Sequence, residues 1–126
     1  MLSTLLLLPA FAPAPAPGQR YNLSGWKLQT CLQSPREVEP KELADYSDAN
    51  FFLSAGGAMV MLTPDNAPGI TPRASHPRTE LRELSVPDWD IGGEHVLRLT
   101  TMVLKVSNSS RKTVLAQVHG SADKDE

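Results

Sequence analysis

Proline and glycine set the limits of this chain. Eleven prolines and eight glycines are spread through its 126 residues. A proline inside a helix removes a hydrogen bond and clashes with the preceding turn. Long 3.6-residue periodicity is therefore interrupted repeatedly, and the chain reads as strands and turns. One short helix is expected over residues 40–46. Pro40 suits a first helical position, Glu42 an early one, and Leu43, Ala44 and Tyr46 form a small apolar set. Strands are expected over residues 51–53, ending at Gly56-Gly57, and over 58–63, closed by Pro64-Asp65-Asn66. A longer strand is expected over 95–106, with a phase shift near Thr100-Thr101 that suits a bulge or burial on both faces. Residues 113–119 alternate cleanly, with Val114, Ala116 and Val118 on an expected core face. No fixed-period repeat is visible, which excludes a solenoid. Short strands between Gly/Pro turns predict an all-β sandwich.

The first residues stand apart. Residues 1–12 are almost wholly apolar, with a Leu run over 5–8, and a Pro-Ala alternation follows over 13–17. The apolar run is far shorter than the roughly 20 residues of a membrane span. It fits the apolar part of a secretory signal, although no Lys or Arg precedes it. Residues 1–19 are therefore expected to be a leader, and residues 20–126 the folded domain of a secreted, extracellular protein. Sandwiches often run to about 200–250 residues. Residues 20–126 are too few for such a sandwich, so the domain expected here is either a small one or an incomplete one.

Charge and cysteine content narrow the partners. The formal net charge is -2, which gives phosphate backbones no basic surface and excludes nucleic acid as a partner. No membrane partner is expected either. Net charge does not exclude an acidic substrate, because a few cations in a cleft dominate locally. Cys31 is the single cysteine, so no disulfide forms within the chain; it reads as a small buried apolar residue or a free thiol. Asn22-Leu23-Ser24 and Asn108-Ser109-Ser110 match the glycosylation pattern, which matters only in a eukaryotic secretory pathway.

The most informative run is His76-Pro77-Arg78-Thr79-Glu80-Leu81-Arg82-Glu83. On a strand, residues two apart share a face, about 6.6 Å from each other. Arg78, Glu80 and Arg82 then line one face, and Thr79 and Leu81 face a core. Such a row can hold itself in shape by pairing and still keep net positive charge. Guanidinium groups suit carboxylate recognition, because their planar fork binds both oxygens. A solvated charged strand face is the other reading. In residues 114–119, Gln117 and His119 share the face opposite the expected core, an arrangement that suits a polar cleft. Histidine is the usual proton-transfer side chain near neutral pH, though a lone strand His is also a common surface or core residue. Gly120 beside it allows close approach of a ligand.

Other chemistries are weaker. The sequence has no Gly-x-Ser-x-Gly elbow, no His-Glu-x-x-His helix and no phosphate-binding glycine loop. One cysteine cannot build a zinc-thiolate site. His76 and His95 read as loop or structural residues. Glu80 and Glu83 fall on opposite strand faces, which argues against a glycosidase carboxylate pair.

Three segments together resemble polysaccharide lyase family 7, the alginate lyases. Residues 21–29, Tyr-Asn-Leu-Ser-Gly-Trp-Lys-Leu-Gln, look like that family's opening strand. Residues 77–83 resemble its Arg-Thr/Ser-Glu-Leu-Arg-Glu signature, and residues 117–120 its Gln-Ile/Val-His signature. The resemblance implies a β-jelly roll, a concanavalin-like sandwich, with a substrate groove on its concave face. It implies a monomer that cleaves 1,4-linked uronic acid polymers by β-elimination, with no cofactor and no obligatory metal. Arg78, Gln117 and His119 would be catalytic: Arg78 and Gln117 neutralise the substrate carboxylate, and His119 assists or acts as base. Glu80 and Arg82 would bind the sugar. The family's C-terminal Tyr-Phe-Lys-Ala-Gly-like strand and its following Tyr, the usual proton donor, are absent; the only tyrosines are Tyr21 and Tyr46. The expectations are therefore a lyase-type domain without its main acid, or a fragment that binds acidic polysaccharide without cleaving it.

Overall fold

The computed structural model describes residues 14–69, 76–84, 93–108 and 110–117. The chain divides into two compact units, residues 1–82 and 83–126. The first unit holds the ordered sheets. A 3-10 turn, Pro17–Gln19, is followed by β1 (Trp26–Gln29), β2 (Glu37–Val38), α1 (Pro40–Leu43), β3 (Phe51–Leu53), β4 (Met59–Met61) and β5 (Glu80–Glu83), whose last residue opens the second unit. One sheet has the order β2-β1-β5, and a second is the β3-β4 hairpin.

The hairpin follows from its turn. Gly57 has φ of +76°, a conformation that side chains with a Cβ rarely adopt. Its N–H donates to the Ser54 carbonyl at 2.8 Å, and Ser54 Oγ accepts from Ala58 N–H at 3.0 Å. The register then pairs Phe51 with Met61, Phe52 with Val60 and Leu53 with Met59. Asp48 sets the entrance to β3: its Oδ1 accepts from the N–H groups of Asn50 and Phe51 at 2.7 and 2.8 Å. The expected strands over 51–53 and 58–63 are both present, the second trimmed at each end.

In the other sheet, β1 and β2 run antiparallel with Leu28 opposite Val38 and Gln29 opposite Glu37. Leu28 and Val38 are buried and join Leu23, Leu43 and Phe51 in one core. Trp26, Tyr46, Met59 and Leu81 pack against it. The inner faces of both sheets and the short helix thus share a single apolar layer. The helix starts at Pro40 as expected but stops at Leu43, earlier than 46. Ala44 is its C-cap, and a tighter bond from Asp45 N–H to the Glu42 carbonyl at 3.2 Å ends it.

Residues 14–19 lie ahead of the expected domain start and yet pack into this body. Pro15 offers its carbonyl to Leu53 N–H at 3.0 Å, and Ala14 accepts from Ser47 Oγ at 2.8 Å. Ala16 and Pro17 are buried. Proline-rich backbone keeps its carbonyls free as acceptors, which suits it to flanking a strand end.

The second unit differs from the expectation of strands over 95–106 and 113–119. Beyond Glu83, the end of β5, its described residues carry no strand. Val114 is 74% exposed and Ala116 is exposed, so the expected core face is uncovered; Val118 lies outside the described residues. A strand is made by its partner. Among the described residues no neighbour supplies the ladder or the cover that this alternation calls for.

Two substitutions separate these regions. Phe51→Ala removes a fully buried ring and is expected to cost about 3–5 kcal/mol, enough to abolish a cooperative transition in a small domain. Met102→Ala, at a side chain 76% exposed, should change stability by less than about 0.5 kcal/mol. Urea unfolding followed by Trp26 fluorescence checks both.

Candidate functional site

The site grows from the alternation of β5. Leu81 points to the shared core, so Glu80 and Arg82 take the opposite face. Arg78 does not lie on the strand itself, because β5 begins at Glu80. It still reaches the row: Arg78 Nη1 lies 3.4 Å from Glu80 Oε2, with both side chains partly exposed. Arg82 is exposed at the end of the row. The expected Arg-Glu-Arg face is therefore present in the first unit, with its first member carried by the loop.

Thr79 fixes that loop. Its Oγ1 donates to the Leu62 carbonyl at 2.6 Å, and its N–H donates to Thr63 Oγ1 at 3.0 Å. Both partners follow the end of β4, so the segment is tied to one sheet just before it enters the other. Thr79 is half-buried, in keeping with an inward side chain.

The polar face continues across the sheet. On β1, Leu28 enters the core, so Lys27 and Gln29 take the side away from it. Lys27 Nζ pairs with Glu37 Oε2 at 2.9 Å. Residue-level reading did not single out Lys27 or Gln29; the signal that finds them is alternation about Leu28. Gln117 belongs to the second unit, where it is exposed. His119 lies outside the described residues. His76 and His95 are exposed loop residues. Among the described residues no group of three His, Cys, Asp or Glu could hold a metal ion, and no helix is long and apolar enough to cross a membrane.

Tyr46 has a structural task. Its hydroxyl donates to Asp48 Oδ2 at 2.6 Å. Burial, and then the Asp48 carboxylate beside it, push its ionisation well above the ordinary range. It stays a neutral phenol next to the β3 entrance, away from proton transfer at neutral pH.

Comparison with known proteins decides the family. The alginate lyase family model matches residues 21–126. The chain belongs to the alginate lyase family. The alginate lyase of Klebsiella pneumoniae is 34% identical over 93 residues, covering 67% of this chain and 30% of that relative. Among solved structures, the family 7 alginate lyase A1-II', in complex with a substrate (GGMG), is 38% identical with a TM-score of 0.54, covering 60% of this chain and 32% of that one. The Klebsiella pneumoniae structure is 34% identical with a TM-score of 0.51, covering 55% and 27%. This family member thus spans about a third of the length of the relatives it matches. Its sheets are all-β elements of the family's jelly-roll fold.

The pairs on this face are partly exposed, which bounds their energetic role. Glu80→Ala should alter unfolding free energy by less than about 1 kcal/mol, as usual for solvent-screened ion pairs. Thr79→Val removes the hydroxyl that donates to the Leu62 carbonyl, leaving only the weak Cys31 thiol at 3.8 Å, and should lose about 1 kcal/mol. Stability should also fall as pH rises past about 10, because tyrosine ionises in the unfolded chain while Tyr46 resists it in the fold. Urea melts at several pH values measure all three.

Proposed function

We propose that this chain supplies the uronate-binding part of a polysaccharide lyase that cleaves 1,4-linked uronic acid chains, alginate among them. The observation that carries the reading is Arg78, held by Glu80 at 3.4 Å on the polar row of β5. Family membership supports the substrate class.

The chemistry follows from the carboxylate at C6. A carboxylate makes the neighbouring C5 proton hard to remove, because the carbanion formed adds negative charge beside it. Arg78 offsets that charge by donating hydrogen bonds to the carboxylate, a task that the family resemblance also gives to Gln117. Losing one such donor typically costs about 10²–10³ in rate. His119 assists this neutralisation or takes the C5 proton; a missing base costs about 10²–10⁴. Glu80 and Arg82 hold the sugar and keep Arg78 in place. As the C5 proton leaves, its electron pair forms the C4–C5 double bond, the C4–O bond breaks, and the bridging oxygen accepts a proton.

That last proton needs a donor. Tyr46 is engaged with Asp48, and Tyr21 Oη donates to the Gly57 carbonyl at 3.0 Å, so both tyrosines serve the fold. This favours a second reading, in which these residues bind acidic polysaccharide and do not complete the cleavage. Export of the chain is part of the proposal. A leader cut ahead of Ala14 would preserve the contacts that residues 14–19 make with Ser47 and Leu53.

One assay separates the readings. The purified chain is incubated with alginate, and the ultraviolet absorbance of unsaturated uronate is followed beside calorimetric binding of a tetra-uronate. The full lyase reading expects rising absorbance that disappears in an Arg78→Ala, His119→Ala double variant. Binding with flat absorbance establishes the non-cleaving reading. A folded chain that neither binds nor cleaves overturns both.

A further inference from the structure

The three-stranded sheet carries one polar group with no assigned role. Gln29 Nε2 is buried and has no hydrogen-bond partner among the described residues. Leaving a buried donor unpaired typically destabilises a fold by roughly 1–3 kcal/mol. Each such group in a folded protein calls for an explanation, such as a role toward a ligand, an ion or a water.

Its position gives the explanation. Gln29 lies on β1, the middle strand of the order β2-β1-β5. Its neighbour Leu28 enters the core, so Gln29 takes the polar face that Glu80 and Arg82 share on β5. Glu37 is directly opposite in register, but its carboxylate is engaged by Lys27 at 2.9 Å. On this face Lys27 pairs with Glu37 and Arg78 with Glu80. Gln29 adds a neutral donor to the same face. The residue is only half-buried, and its terminal torsion is soft, so the amide can turn its N–H groups toward the exposed edge.

We propose that Gln29 is a further substrate-binding residue, whose amide donates to a carboxylate or hydroxyl oxygen of the acidic sugar. This rests on the uronate-binding reading and extends the site from β5 onto β1. It predicts opposite signs for stability and binding. Gln29→Met removes the unpaired donor at similar volume, so the thermal midpoint should hold or rise. The same change should weaken binding about tenfold, the usual worth of a hydrogen bond to a charged acceptor. Gln29→Glu sets a negative charge against the ligand and should bind more weakly still.

The test is calorimetric titration of tetra-uronate into the wild-type chain, Arg78→Ala, Gln29→Met and Gln29→Glu, with a thermal melt of each. Wild type binding most tightly, then Met, then Glu, with the Met variant no less stable, is the expected result. Wild-type binding lost in Arg78→Ala but unchanged in both Gln29 variants overturns this inference and leaves the uronate-binding reading standing. No binding by the folded wild type removes that reading, and this inference with it.

Discussion

Everything the first unit presents to solvent depends on one contact layer. Leu28 of β1, Val38 of β2 and Leu81 of β5 turn inward to meet Phe51, Leu43 and Met59. Strand geometry leaves no freedom after that. A side chain between two inward residues must face outward, so burying Leu28 and Leu81 commits Lys27, Gln29, Glu80 and Arg82 to the other side. A slip of one residue in β5 would place Glu80 and Arg82 in the core and Leu81 in water. The apolar layer therefore fixes the polar row and its order.

The polar row is held more by geometry than by charge pairing. Both ion pairs are partly solvent-exposed and contribute little to stability. Thr79 matters more for shape, because it ties the loop bearing Arg78 to the residues after β4. A guanidinium on a tethered loop beside a carboxylate is oriented before any ligand arrives. Pre-orientation of this kind lowers the entropy lost on binding.

Local signals made part of this legible in the sequence. Gly56-Gly57 marked the hairpin turn, Pro40 marked the helix start, and the alternation of residues 78–82 marked the polar row. The core partners of Leu81 were not legible, because they come from sequence-distant strands. β2 has only two residues, Glu37 and Val38, which is too short for any period to register. Lys27 and Gln29 carry no motif of their own and emerge only once Leu28 is known to be buried. Over their described residues, 95–106 and 113–117, the expected strands do not form, for a related reason. Their alternation describes a face that needs cover, and Leu104 and Val114 remain largely exposed. The relatives, of which the matched part covers 30–32%, have more chain with which to bury such faces.

The central claim is that the β5 row recognises the carboxylate of an acidic sugar, and the side-chain Nε–Hε signals of Arg78 and Arg82 test it directly. They would be followed by nuclear magnetic resonance during titration with tetra-uronate and, separately, with a neutral glucan tetramer. The account predicts that the Arg78 signal shifts saturably with the uronate, Arg82 to a lesser degree, and neither with the neutral sugar. Equal responses to both sugars, or no response to the uronate in the folded chain, would contradict it.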